Sequence, residues 1–121
     1  MRWWRTGALL TMAALAACSS DRVDATLGAR CTQASDCADR CLPAGSQFPG
    51  GMCSRDCAMD SECPGDTVCA SVATGVCLYS CRDDGDCDFL GEVGGEAWTC
   101  HADNAGQGSG KKVCLGPAGV N

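Results

Sequence analysis

Large aromatic side chains are scarce in this chain: three Trp, one Tyr and two Phe among 121 residues. Trp3 and Trp4 sit at the extreme N-terminus, which leaves Phe48, Tyr79, Phe89 and Trp98 for a core. Ordering a chain costs roughly 1–2 kcal/mol per residue. So thin an apolar set excludes a small domain held by packing alone. The apolar stretch at the N-terminus is short as well. Thr6 to Ala17 is uncharged for twelve residues, against about 20 for a helix that spans a bilayer. His101 is the only histidine, and no Cys-X-X-Cys occurs. These two absences exclude a histidine-rich metal site and a thioredoxin-type redox centre. Positive charge is sparse. Without residues 1–17, seven Lys/Arg face fifteen Asp/Glu, a formal charge of −8. Such a surface cannot displace counterions from phosphate, so nucleic acid is excluded as a partner. It also offers no polybasic patch to anionic lipid.

What is abundant is cysteine. Thirteen residues in a chain this short indicate a disulfide scaffold and an oxidising compartment. The N-terminus agrees. A basic start (Met1 to Thr6) is followed by the apolar run Gly7–Ala14 and then Leu15-Ala16-Ala17-Cys18, the layout of a secretory signal peptide. Leu15 to Cys18 resembles the lipobox of bacterial lipoproteins. The resemblance implies a signal helix at residues 1–17, cleavage between Ala17 and Cys18, and acylation of Cys18. With more than one acyl chain, membrane anchoring would be effectively stable. The competing reading is an ordinary signal peptide with Cys18 an incidental thiol. Beyond Cys18, Ser19 to Thr26 is small and polar and has no hydrophobic period. Residues 18–30 are therefore expected to be a flexible tether. By analogy with Gram-negative sorting rules, Ser19 in place of Asp points to the outer membrane.

The twelve remaining cysteines fall into three sets of four: Cys31, Cys37, Cys41, Cys53; Cys57, Cys63, Cys69, Cys77; and Cys81, Cys87, Cys100, Cys114. In each set five residues separate the first two, and the residue before the second is acidic (Asp36, Glu62, Asp86). Three residues join successive sets. The first two sets close alike, Gly51-Met52-Cys53 and Gly75-Val76-Cys77, while the third closes on Lys112-Val113-Cys114 after longer inserts. This self-similarity predicts a small disulfide-rich fold of three tandem modules (31–53, 57–77 and 81–114), mostly loops with short β-hairpins, and a C-terminal tail at 115–121. Each set permits three pairings, and spacing does not choose among them. First with third and second with fourth, an arrangement common in small knotted modules, is the one expected here.

The run from Cys57 through Cys63 and Cys69 to Gly75-Val76-Cys77 resembles cysteine-rich repeats of Gram-negative envelope proteins, of the Dickkopf N-terminal or EB type. The resemblance covers about residues 28–115 and lies almost wholly in cysteine spacing. It implies an extracellular interaction or structural module with no chemistry of its own.

Other constellations carry less. Cys37/Cys41, Cys53/Cys57 and Cys77/Cys81 have a spacing that zinc could use, but export places them where disulfides form. Asp84, Asp86 and Asp88 alternate as oxygen donors for Ca²⁺ would. The EF-hand register fails, because the position that needs a bidentate Glu is Gly95; an acidic turn explains the cluster equally well. Neither a metal nor another cofactor is expected. His101 has no nucleophile motif beside it, so no enzyme is expected either. Trp98 reads as an exposed binding anchor or as the small core of the third module. Asn104 to Lys112 is Gly-rich and lacks the context of a phosphate loop.

The chain is thus expected to be a lipid-anchored protein of the cell envelope, bound to the membrane through Cys18. It would present a binding or structural module to a protein or surface polymer. Two rivals remain. One is a small inhibitor of a secreted protease, inserting Leu42–Met52 or Asp88–Thr99. The other is a calcium-dependent adhesion module.

Overall fold

The computed structural model describes residues 23–103 and 111–120. The expected signal helix, its cleavage point at Ala17 and Cys18 lie outside the described residues, as does most of the Gly-rich segment. Six disulfides cross-link a chain of short strands and loops. No helix among the described residues is long and apolar enough to cross a membrane.

Each module is one antiparallel hairpin. β1 (Arg40–Leu42) pairs with β2 (Met52–Ser54), β3 (Thr67–Ala70) with β4 (Val76–Tyr79), and β7 (Thr99–Asp103) with β8 (Lys111–Leu115). The third module adds a second small hairpin, β5 (Glu92–Val93) with β6 (Glu96–Ala97). The register repeats in all three modules: the third cysteine faces the fourth, as Cys41↔Cys53, Cys69↔Cys77 and Cys100↔Cys114. Facing residues project from the same side of a sheet. Both disulfides of each module are therefore brought together over one face of its hairpin.

The hairpins are too short to stand alone in water. A third segment flanks each of them. Gly28 and Ala29 exchange backbone hydrogen bonds with Cys53, Arg55 and Cys57 bond to Cys77 and Gly75, and Cys81 bonds to Lys112. The residues leading into each module thus lie along its own last strand. This geometry explains the repeated Gly-X-Cys closures. Gly51 and Gly75 have φ of +74° and +101°, and a Cβ there would come within 2.3 Å of the Cys31 carbonyl oxygen and 2.6 Å of the Cys57 carbonyl oxygen. Only glycine fits a left-handed turn pressed against the lead-in backbone. In the third module Lys112 lies within a longer regular strand, where a side chain is tolerated.

The modules are not three separate beads. Leu27, Leu42, Phe48, Met52, Val76, Leu78, Tyr79, Leu90, Trp98, Val113 and Leu115 belong to one contiguous buried cluster. Two expected boundaries move as a result. Residues 24–30 belong to the folded unit and not to a tether. Asp24 Oδ1 accepts from the Thr26 and Leu27 amides, closing a turn, and buried Leu27 accepts a hydrogen bond from the Tyr79 hydroxyl through its carbonyl. The C-terminal segment is docked as well. Gly116 and Ala118 donate to the carbonyls of Gln47 and Ser46, and Gln47 Nε2 donates to the Gly119 carbonyl. The last residues of the third module therefore return to the first.

Candidate functional site

All twelve module cysteines are oxidised, and every set pairs first with third and second with fourth: Cys31–Cys41 and Cys37–Cys53, Cys57–Cys69 and Cys63–Cys77, Cys81–Cys100 and Cys87–Cys114. Three sulfurs of each set lie within 4.8 Å of one another. They have the proximity of metal ligands, but each is already bonded to a partner sulfur; of the pairs spaced as for zinc, Cys37/Cys41 lies in one such group, while Cys53/Cys57 and Cys77/Cys81 join successive modules. Cys87 and Cys114 are fully buried, whereas Cys81 and Cys100 are both partly exposed.

The acidic residue before the second cysteine caps the loop that the first cysteine opens. Asp36 Oδ2 accepts from the amides of Thr32 (3.0 Å) and Gln33 (3.2 Å). Glu62 Oε1 accepts from Ala58 and Met59, and Asp86 Oδ2 from Arg82. In the first two modules a short 3₁₀ turn lies between the two cysteines, and in the third a longer one starts there and runs through Cys87. The amides of Thr32 and then Gln33 hold the Asp36 carboxyl below its usual range, and the Arg82 amide does the same for Asp86. A hydrogen bond that favours the charged form accounts for both directions.

A second acidic position repeats in the last two modules and escaped the sequence reading. Asp60 Oδ1 accepts from the Cys69 amide at 2.9 Å, and Asp84 Oδ1 from the Cys100 amide at 2.8 Å. Both carboxylates tie the first loop of a module to its third cysteine. The first module has Ala34 at this place, which hid the pattern. Lys111 reaches across from the third module to Asp60 Oδ1 (2.6 Å) and the Cys69 carbonyl (2.9 Å). That ammonium, ahead of the Cys69 amide, holds the Asp60 carboxyl below its usual range.

The calcium trio thus divides its attention. Asp84 serves Cys100 and Asp86 serves Arg82, by backbone amide and by side chain, while Asp88 is exposed on the same 3₁₀ segment, Asp84–Leu90. Among the described residues, the groups of three close ligand atoms are all cysteine sulfurs. Asp103 is a separate buried carboxylate: Oδ2 accepts from the Ser71 amide at 2.8 Å, and Oδ1 has no hydrogen-bond partner among the described residues.

His101 Nε2 lies 2.6 Å from Thr99 Oγ1, two positions back on the same face of β7. Sequence spacing alone, X to X+2 in a strand, could have suggested this pair. A nucleophile and base also need an orienting group and a pocket. Among the described residues no carboxylate hydrogen-bonds the other ring nitrogen, so the pair closes a local bond on the strand.

The two loops that a protease inhibitor would insert are packed on each other. Phe48 and Trp98 are 2% and 3% exposed, with ring centroids 6.5 Å apart. Ser46 Oγ donates to Glu96 Oε1 at 3.0 Å. Trp98 is therefore neither an exposed anchor nor the private core of its module. It belongs to a seam that joins the first module to the third.

One open cleft of about 380 Å³ lies between the N-terminal turn and the second module, lined by Asp24, Thr26, Leu27, Pro64–Thr67 and Tyr79. The Tyr79 ring packs edge-on against Phe89, with centroids 4.8 Å apart. In comparisons with known proteins, no family model matches the chain, nor does a curated protein or a solved structure.

Proposed function

We propose that this chain is a lipid-anchored envelope protein whose cross-linked domain binds or braces an extracellular partner and carries out no catalysis. The observation that carries the reading is one of cysteine arithmetic. The chain has thirteen cysteines, and six disulfides consume twelve. The one left is Cys18, the cysteine that the lipobox resemblance assigns to a thioether. An odd cysteine in a secreted protein otherwise implies a free thiol or an intermolecular bridge.

The domain supports a display role. Six cross-links and the caps on each loop hold exposed side chains in place before binding, so little ordering entropy remains to be lost on association. The resemblance to Dickkopf N-terminal or EB-type repeats of Gram-negative envelope proteins points the same way, to an extracellular interaction or structural module, and Ser19 after Cys18 favours an outer-membrane location. The absence of catalysis is supported by how the polar groups are used, since the acidic side chains of the loops are largely committed to backbone amides.

Intact-mass spectrometry of the protein from native membranes, with and without reduction and alkylation, tests this reading. The expected result is a chain beginning at an acylated Cys18, with twelve thiols alkylated only after reduction. An unacylated N-terminus overturns the anchor. Thiols free before reduction overturn the oxidised envelope location.

A further inference from the structure

The short stretch of sequence between Cys18 and the first described residues limits how the domain can sit on a membrane, a limit that rests on the lipid anchor proposed above. Val23 is five residues beyond Cys18, and Asp24 already bonds into the domain. Five residues reach at most about 18 Å when fully extended. A domain of this size has a radius of gyration of roughly 12 Å, hence a diameter of roughly 30 Å. Its far pole could meet the bilayer only if the tether ran half-way round the surface, roughly 50 Å. The tether is too short for that.

The chain's own course defines the two poles. The Ala38 amide donates to the Ala25 carbonyl, so the N-terminal turn sits beside the start of the first hairpin. From Arg40, β1 runs away from that contact to Leu42, and the loop that follows continues beyond it. At the end of this loop dock Gly116 and Ala118, through the carbonyls of Gln47 and Ser46, and Glu96, through Ser46 Oγ.

We propose that the pole carrying Asp24, Ala25 and Ala38 is the one the tether keeps nearest the lipid headgroup surface, and that the other pole of the first hairpin faces away from the membrane. That far pole is built from the Pro43–Gly50 loop, residues 116–119 and the β5–β6 hairpin. The near pole brings Asp24 and Asp66 towards the headgroups, where the cleft beside Tyr79 also lies. Those charges give no attraction to anionic lipid, so the tether and not surface affinity imposes the contact. Anionic vesicles should therefore push this pole outward within a Debye length of about 10 Å at 0.1 M salt.

The test uses the full acylated protein reconstituted into phosphatidylcholine vesicles whose headgroups carry nitroxide, a short-range quencher. A fluorescent amino acid replaces exposed Ala25 in one sample and exposed Ala44 in another. Quenching at position 25 should exceed that at position 44 by about twofold, and about twenty Gly/Ser residues inserted after Arg22 should remove the difference. Equal quenching without the insertion, in protein that floats with the vesicles, overturns the orientation. Protein that neither floats nor carries acyl mass overturns the anchor itself. Carbodiimide footprinting of the unsubstituted protein gives a second readout: vesicles should shield Asp24 and Asp66 and leave exposed Glu92 unchanged. Equal labelling of all three with and without vesicles also overturns the orientation.

Discussion

In the second module five residues separate Cys63 from Cys69 and seven separate Cys69 from Cys77. The third module has twelve and thirteen in the same places, yet the two share the same frame. Both pair first with third and second with fourth cysteine. Both place the last two cysteines opposite each other, and both fasten the third-cysteine amide with a carboxylate from the first loop, Asp60 or Asp84. The added residues of the third module do not disturb this frame. They leave it, bring Leu90 and Trp98 into the common core and meet the first module. The disulfide frame fixes each module locally, and the inserts decide how modules are joined. This division of labour can be broken by experiment.

The largest effect should come from the insert. Trp98 is almost wholly buried against Phe48. Trp98→Ala should cost about 3–5 kcal/mol, as aromatic truncation in a close-packed core does. Chemical denaturation of the oxidised protein measures it, and a cost below about 1 kcal/mol would show that the seam is loose. Removing cross-links should distinguish the modules much less. The loops closed by Cys87–Cys114 and Cys57–Cys69 span 27 and 12 residues of sequence. The chain-entropy model gives about 3.5 and about 3 kcal/mol for paired replacement by Ala. A gap much larger than this would mean that burial of Cys87 and Cys114, and not loop closure, dominates. Accessibility predicts the order of chemical reduction. Cys81–Cys100, partly exposed at both ends, should open early, and Cys87–Cys114 last; alkylation mapping at intermediate reductant reads that order.

A smaller effect separates the closures. Gly75→Ala puts a Cβ against the Cys57 carbonyl at positive φ and should cost about 2 kcal/mol through strain and overpacking. Lys112→Ala, at the equivalent place in the third module, lies exposed in a regular strand and should change stability by less than about 0.5 kcal/mol. Similar losses at both positions would contradict the idea that the third module solves the closure differently.

Much of the frame was legible because cysteine spacing is a covalent signal: the three sets, the short hairpins and the Gly-X-Cys turns are local. The role of Asp36, Glu62 and Asp86 was visible as a recurrence but not as chemistry, since their partners are backbone amides that sequence does not mark. The join between modules was not legible. Phe48 and Trp98 lie in loops of different modules, and no period links them. The N-terminal boundary was misread for a different reason. Asp24 to Gly28 has the composition of a tether, yet Asp24-X-Thr26-Leu27 closes an Asx-type turn, and only the docking of Leu27 under Tyr79 makes that turn part of the domain.

The smallest predicted effect concerns acid. Asp36 and Asp86 have carboxyls lowered by backbone amides, and the ordinary range for such a group is near 3.9. A group with a lowered folded pKa stabilises the fold fully above its unfolded value, and that contribution disappears as pH falls through the folded value. The first loops of the first and third modules should therefore loosen only in strong acid, below the ordinary carboxylate range, while the disulfides keep the modules closed. Hydrogen exchange at the Thr32, Gln33 and Arg82 amides, followed by NMR as pH falls from about 5 to about 2, should show protection lost at these sites first. Asp36→Asn should remove that pH dependence at Thr32 and Gln33 and leave Arg82 unaffected, and Asp86→Asn should do the reverse. If both substitutions loosen both loops, the modules are not independent at this level, and the join through Trp98 carries more than packing.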